Sequence, residues 1–172
     1  MDYAQPLVAF YRNLQSDDRG RMLDDILARD DDWLESTHDY IQWLFPLAAP
    51  SGANPFAPVL DEAQIAVFRQ DAALQEKLLQ AFGRMLAFYG LERQGDAIAK
   101  GPNWSRRKVN WFTRPTHNNL RITRILASLR LLGLESEARA FYRALIGLTE
   151  SEADVGVGEE ALIYWGRAVV LS

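Results

Sequence analysis

Apolar residues that recur every three or four positions are the feature that most restricts the fold of this 172-residue chain. This spacing places apolar side chains on one face of an α-helix, which must then be buried against other elements. Two Gly-Leu pairs fit helix ends, because glycine adopts the left-handed conformation that closes a helix. The clearest apolar set is Leu120, Ile122, Ile125, Leu126, Leu129 and Leu132, and the Gly-Leu pairs are Gly90-Leu91 and Gly133-Leu134.

Capping residues and prolines predict where the helices begin and end. Asp32 and Glu35 form a capping-box pattern, in which each side chain binds a free backbone N–H of the first turn. We expect the helix that follows to run to Phe45 and to end before Pro46, which cannot continue the helical hydrogen bonds. The other predicted helices cover residues 7–14, 22–28, 62–70, 72–89, 117–132, 136–148 and 160–169, with Asp61, Asp71 and Thr116 as caps.

Two segments lack helical periodicity. Residues 46–58 contain four prolines and are predicted to form a Pro-rich loop. Residues 92–115 are predicted to form a basic and aromatic loop. We expect an all-α fold in which residues 1–172 form a single domain, a helical bundle or array of roughly six to eight helices.

The composition excludes several kinds of catalytic site. The chain has no cysteine, which excludes disulfides, thiolate metal sites and cysteine nucleophiles. His38 and His117 are the only histidines, too few for a typical catalytic zinc site. Neither a Gly-rich phosphate loop nor a serine nucleophile elbow is present. We therefore predict no catalytic residue, no metal and no cofactor, and we expect a binding protein rather than an enzyme.

Hydropathy and the N-terminal residues predict a cytoplasmic protein. Residues 1–6 lack the basic region and apolar run of a signal peptide. No stretch approaches the ~18 consecutive apolar residues of a membrane-spanning helix. The net charge of −4 argues against bulk attraction to nucleic acid or to an anionic membrane.

Charge is segregated along the chain. Residues 17–39 carry nine acidic side chains and three arginines, whereas residues 97–134 carry eight cations and no acid. The two segments either face each other or are solvated. A basic groove for phosphates or stacked bases is the alternative, although most charge runs are solvated, so we do not expect nucleic acid as the partner. That groove would comprise Lys100, Trp104, Arg106, Arg107, Lys108 and Trp111.

The helix that starts at His117 carries arginines among apolar neighbours. At about 100° per residue, His117, Arg121 and Arg124 lie on one narrow stripe. A desolvated guanidinium needs an oxygen partner. That partner is either an internal carboxylate, such as Asp39 or Glu35, or a ligand carboxylate or phosphate held by two hydrogen bonds. Both alternatives stay open.

A second dense segment, residues 38–46, supplies candidates for the opposite wall of a pocket. His38, Tyr40 and Gln42 border the apolar face of their predicted helix, where they make either ordinary hydrogen bonds or ligand contacts. The predicted ligand-binding residues are His38, Tyr40, Gln42, Trp43, His117, Asn118, Arg121 and Arg124.

These segments also carry a family resemblance. The sequences HDYIQWLFP at residues 38–46 and HNNLRITRIL at residues 117–126 resemble the conserved domain of the opioid growth factor receptor family. The segments 10–14, 23–27 and 85–90 agree with it in order and spacing. The resemblance covers residues 10–169.

The resemblance implies a receptor. Animal members of the family are described as nuclear, perinuclear or membrane-associated receptors for the pentapeptide met-enkephalin, and they restrain cell proliferation. The chain ends at Ser172 without the C-terminal repeats of mammalian members, so we expect a minimal, stand-alone, microbial form. The resemblance implies no established set of ligand residues.

Three hypotheses for the function follow. The favoured one is a non-enzymatic domain that binds a short peptide or a small anionic molecule, with receptor activity implied by the resemblance alone. The second is an enzyme of unknown reaction, in which His38 or His117 acts as acid or base beside Arg121 and Arg124. The third is binding of nucleic acid or an acidic surface through residues 100–114. The residues do not predict an oligomeric state.

Overall fold

The computed structural model describes residues 5–170, which contain ten α-helices, one short 3₁₀-helix and one β-hairpin. The predicted helical character is confirmed, whereas the all-α class and the count of six to eight helices are wrong for these residues. The α-helices are α1 (Pro6–Tyr11), α2 (Leu23–Leu27), α3 (Asp31–Ser36), α4 (Ile41–Leu44), α5 (Glu62–Gln70), α6 (Ala72–Tyr89), α7 (Trp104–Arg107), α8 (His117–Leu131), α9 (Glu135–Ser151) and α10 (Glu159–Val170). The hairpin strands are β1 (Leu91–Gln94) and β2 (Ala97–Lys100), and the 3₁₀-helix is Lys108–Asn110.

The described residues group into two compact units. The N-terminal unit contains residues 5–81 and Leu131–Gly133, and the C-terminal unit contains residues 82–130 and 134–170. We describe each unit by itself. The assignment of residues 1–172 to a single domain stays a prediction.

Aromatic edge contacts hold the first helices of the N-terminal unit together. The Tyr11 ring packs edge-on against Phe10 and Phe68, and Phe10 packs in the same way against Trp43. The Tyr11 hydroxyl donates to the carbonyl of Leu44. Edge-to-face pairs of this kind contribute about 0.5–1.5 kcal/mol beyond the burial of their area. They fix α1 beside α4 and α5.

Some of the carboxylates between residues 17 and 39 pair with arginines of the same segment. Asp17 is buried, and its carboxylate accepts hydrogen bonds from the backbone N–H groups of Arg19 and Arg21 and from Arg21 Nε, all at 2.8–2.9 Å. Asp39 pairs with Arg19 and Arg21 at 3.1 and 2.9 Å. The Asp39 carboxylate is therefore already paired inside the N-terminal unit.

The helix predicted from Asp32 to Phe45 is in fact two helices. The N-cap of α3 is Asp30, whose Oδ1 accepts the N–H of Trp33 at 2.9 Å, and not Asp32. The backbone turns extended at Thr37, a β-branched residue that favours this conformation. Three consecutive aspartates offer three similar caps, so local sequence could not identify the one that is used.

Other local predictions are confirmed. Asp61, Asp71 and Thr116 each accept first-turn backbone N–H groups at 2.8–3.2 Å. Gly90 and Gly133 have φ values of +82° and +100°, as the helix-end pattern requires. These features depend on neighbouring residues alone.

The β-hairpin corrects the prediction of an irregular loop over residues 92–115. Its strands pair antiparallel, with Gln94 opposite Ala97, across a two-residue turn of Gly95 and Asp96. A Gly-Asp pair between short strands is a known hairpin signal, and it was present in the sequence. Each strand has only four residues and is largely exposed, so alternation of apolar and polar residues could not reveal it.

Gly83 and Gly90 give opposite predictions for stability. A Cβ at Gly83, inside α6, would meet no atom within 4 Å, so we expect Gly83→Ala to raise the free energy of unfolding by about 1 kcal/mol. A Cβ at Gly90 would lie 2.8 Å from the Trp104 Cα at a positive φ, so we expect Gly90→Ala to lower it by at least about 2 kcal/mol. Urea denaturation measures both changes. A loss of stability in Gly83→Ala would contradict the open environment of this residue.

Candidate functional site

Side-chain amides tie the start of α8 to the segment before it. Asn118 Nδ2 donates to the carbonyl of Asn110 at 3.0 Å, and Asn119 Nδ2 donates to the carbonyl of Trp111 at 3.1 Å. Asn119 Oδ1 accepts the N–H of Thr116 at 3.0 Å. Both asparagines are buried. Asn118, predicted as a ligand residue, is therefore engaged in positioning α8.

Arg121 is buried on α8, with 5% of its surface exposed. Its Nη1 lies 3.5 Å from Asn118 Oδ1, at the outer limit of a hydrogen bond. The prediction that Arg121 is shielded from water agrees with this placement. Its guanidinium is held by the protein.

Arg124 lies three residues further along α8 and differs from Arg121. Its Nε is buried and has no hydrogen-bond partner, and its guanidinium forms no ion pair with any residue between 5 and 170. Desolvation by burial lowers the pKa of Arg124 to about 10, so the side chain remains cationic at neutral pH. A desolvated cation without a partner is unfavourable in the free protein. Its N–H groups suit the oxygens of an anion.

The predicted ligand-binding residues of the N-terminal unit differ in whether their side-chain polar atoms have hydrogen-bond partners. The Tyr40 hydroxyl donates to the carbonyl of Leu34 at 2.8 Å. Gln42 Nε2 donates to the carbonyl of His38 at 3.3 Å, but Gln42 Oε1 is buried and has no partner within residues 5–170. Trp43 Nε1 is also buried and unpaired within the same residues. Since buried polar atoms are paired in most proteins, an acceptor and a donor remain available in this segment.

His38 and His117 both have exposed side chains. Neither lies in a water-excluded environment of the kind that tunes a catalytic acid or base. The exposure of these two histidines therefore does not support the hypothesis of an enzyme.

No group of three or more histidine, aspartate or glutamate side chains between residues 5 and 170 is arranged to hold a metal ion. Within the same range, every helix is too short or too polar to cross a membrane.

Side chains from the basic segment cap the last turn of α6. The final carbonyls of a helix have no partner inside the helix and need donors from elsewhere. In α6, three side chains spaced four residues apart donate hydrogen bonds to these carbonyls. The bonds join Asn103 Nδ2 to Ala87 O (2.8 Å), Arg107 Nε to Phe88 O (2.7 Å) and Trp111 Nε1 to Tyr89 O (2.9 Å).

Of the six residues predicted to form a basic groove, all but Arg106 are buried or paired with a side chain of the protein. Trp104 is buried, as is Trp111, so neither presents a ring face for base stacking. Lys100 pairs with Glu152, and Lys108 pairs with Asp154. Arg106 alone of the six is exposed and has no side-chain partner among residues 5–170. The aromatic residues of this segment belong to the core of the C-terminal unit.

Comparison with known proteins identifies a family. Residues 4–170 match the family described as the opioid growth factor receptor (OGFr) conserved region. The opioid growth factor receptor of Homo sapiens is 38% identical over 174 residues, which cover 95% of this chain and 25% of that protein. The receptor of Rattus norvegicus is 42% identical over 74% of this chain and 23% of its own length. Opioid growth factor receptor-like protein 1 of Mus musculus is 37% identical over 74% of this chain and 28% of its own length.

The chain thus spans about a quarter of the length of these curated relatives. No solved structure matches it.

Arg107 and Arg124 are expected to respond differently to the same substitution. Arg107→Met leaves the buried carbonyl of Phe88 without its donor, so we expect the free energy of unfolding to fall by about 1–3 kcal/mol. Arg124→Met removes a half-buried charge that has no partner among residues 5–170, so we expect a change between zero and a gain of about 1 kcal/mol. Urea denaturation of the ligand-free protein measures both. Equal losses in the two variants would show that Arg124 is held by the protein.

Proposed function

Because the chain belongs to the opioid growth factor receptor conserved-region family, we propose that it is a non-enzymatic domain that binds a short peptide or a small anionic molecule. The observation that carries the proposal is the Arg124 guanidinium, which is desolvated, cationic and unpaired among residues 5–170. An anionic oxygen is the partner that such a group lacks.

A peptide supplies this anion through its C-terminal carboxylate. Two carboxylate oxygens match the paired N–H groups of a guanidinium, and burial strengthens the interaction because water competes less. The relatives are named as receptors for an opioid growth factor, and the family resemblance implies met-enkephalin, a pentapeptide. We propose that Arg124 binds the carboxylate of such a ligand.

Gln42 and Trp43 are proposed as peptide-contact residues of the N-terminal unit. Gln42 Oε1 accepts and Trp43 Nε1 donates a hydrogen bond, which are the two functions needed by a peptide N–H and a peptide carbonyl. Tyr40, with its hydroxyl bonded to Leu34, would fix the backbone beside them. His38 is proposed as a further contact residue of the N-terminal unit. In the C-terminal unit, His117, Asn118 and Arg121 are proposed with Arg124, with Asn118 and Arg121 positioning α8.

A reducing compartment suits a chain without cysteine. We therefore propose a cytoplasmic location for this protein.

Isothermal titration calorimetry with met-enkephalin tests the role of Arg124. We expect the peptide with a free C-terminal carboxylate to bind at least about tenfold more tightly than its C-terminal amide, since the amide lacks the charge. Arg124→Gln should abolish this preference and leave the affinity for the amide nearly unchanged. Arg106→Gln is the matched control, because it removes one exposed charge and should retain the preference.

Titration with acetate tests the proposal that the ligand is a small anionic molecule. If met-enkephalin does not bind, acetate should still bind to the wild-type protein and lose affinity in Arg124→Gln. The proposal is wrong if acid and amide bind equally, or if Arg124→Gln and Arg106→Gln weaken binding to the same extent. It is equally wrong if neither probe binds.

A further inference from the structure

A cavity lies within the C-terminal unit, between the β-hairpin and α9. Its volume is about 350 Å³. The hairpin contributes Arg93 and the turn residue Asp96, and α9 contributes Glu137, Arg139 and Arg143. Arg124 is not part of its lining, so this cavity is separate from the site of the proposed function.

Three arginines that line this cavity have no side-chain partner in the part of the chain that the structure describes. Among residues 5–170, neither Arg93, Arg139 nor Arg143 forms a side-chain hydrogen bond or an ion pair. Arg139 and Arg143 are four residues apart and therefore lie on the same face of α9, an arrangement that destabilises a helix when the charges are alike. Arg93 adds a third cation from the hairpin. The cluster is therefore electrostatically unfavourable while the cavity is empty.

Two carboxylates of the lining offset only part of the charge of these arginines and do not pair with them in the described part of the chain. Glu137 and Asp96 form no ion pair with any residue in the described part of the chain. Glu137 is two residues from Arg139 along α9, a separation at which side chains on a helix do not face each other. Asp96 lies in the hairpin turn. The five charged groups together leave a net charge of +1, which favours an anion.

We infer that this cavity is a binding site for a small molecule that carries a phosphate-class oxyanion. Three guanidinium groups from two elements can surround a tetrahedral anion, and each can donate two N–H groups to its oxygens. A carboxylate offers two oxygens and one charge, whereas phosphate offers more oxygens and more charge to the three arginines. The cavity volume lies at the lower end of the range for small-molecule sites, about 300–1,000 Å³.

Nuclear magnetic resonance can locate the anion. Inorganic phosphate is titrated into ¹⁵N-labelled full-length protein at constant ionic strength, with sodium chloride as the balancing salt and acetate as a comparison anion. We expect saturable shifts of the backbone amide signals of Gly95, Asp96 and Ala140, which belong to the lining. Acetate should bind more weakly than phosphate at the same residues.

Two double variants separate a built site from general charge attraction. Arg139→Gln with Arg143→Gln should weaken phosphate binding at least about tenfold, since two donor groups are lost. Arg106→Gln with Arg167→Gln removes the same charge from exposed positions outside the cavity and should change the affinity less than about twofold. Glutamine has nearly the helix propensity of arginine, so all variants should fold, which circular dichroism checks.

Three outcomes would overturn the inference. The first is an equal loss of affinity in the two double variants, and the second is equal binding of acetate and phosphate. The third is loss of phosphate binding in Arg124→Gln while the Arg139 and Arg143 double variant retains it. That last result would assign phosphate to the site of the proposed function and leave the proposed function itself intact.

Discussion

The carbonyls at the C-terminal end of α6, which need donors from outside the helix, are the constraint on which the C-terminal unit depends. Three consecutive carbonyls accept donors from Asn103, Arg107 and Trp111, which recur every fourth residue. These bonds fix the segment that in turn binds the start of α8 through Asn118 and Asn119. Trp165 Nε1 then donates to the carbonyl of Asn119 at 3.0 Å, which adds α10. One set of helix-end hydrogen bonds thus organises α6, α8 and α10.

Three buried side-chain atoms differ from these hydrogen-bonded groups. Gln42 Oε1, Trp43 Nε1 and Arg124 Nε are buried and have no partner in the described range 5–170, and all three lie in the two segments with the most specific resemblance to the family. A core residue normally finds a partner for every buried polar atom, because an unpaired one costs about 1–3 kcal/mol. Groups that remain unpaired in a ligand-free protein are therefore the natural candidates for ligand contacts.

The two proposed anion sites differ in burial and in the number of arginines that each contains. Arg124 acts alone and is partly desolvated, so salt would screen its interaction with an anion less than at a fully exposed arginine. The cluster of Arg93, Arg139 and Arg143 is exposed, so each arginine contributes less and the site depends on several charges acting together. A single carboxylate suits the first environment, and an anion with more oxygens suits the second.

The sequence by itself determined the features that depend on close neighbours along the chain. The caps at Asp61, Asp71 and Thr116, the glycine turns at Gly90 and Gly133, and the shielding of Arg121 all follow from spacing and residue type. Tertiary structure decided the rest, because the deciding contacts join distant residues. The donors for the last turn of α6 lie 16 to 22 residues away, and they turned a predicted basic groove into a buried cap. Arg121 and Arg124 lie on one helical stripe, and only the folded chain distinguishes them, because a protein oxygen holds Arg121 whereas Arg124 has no partner between residues 5 and 170.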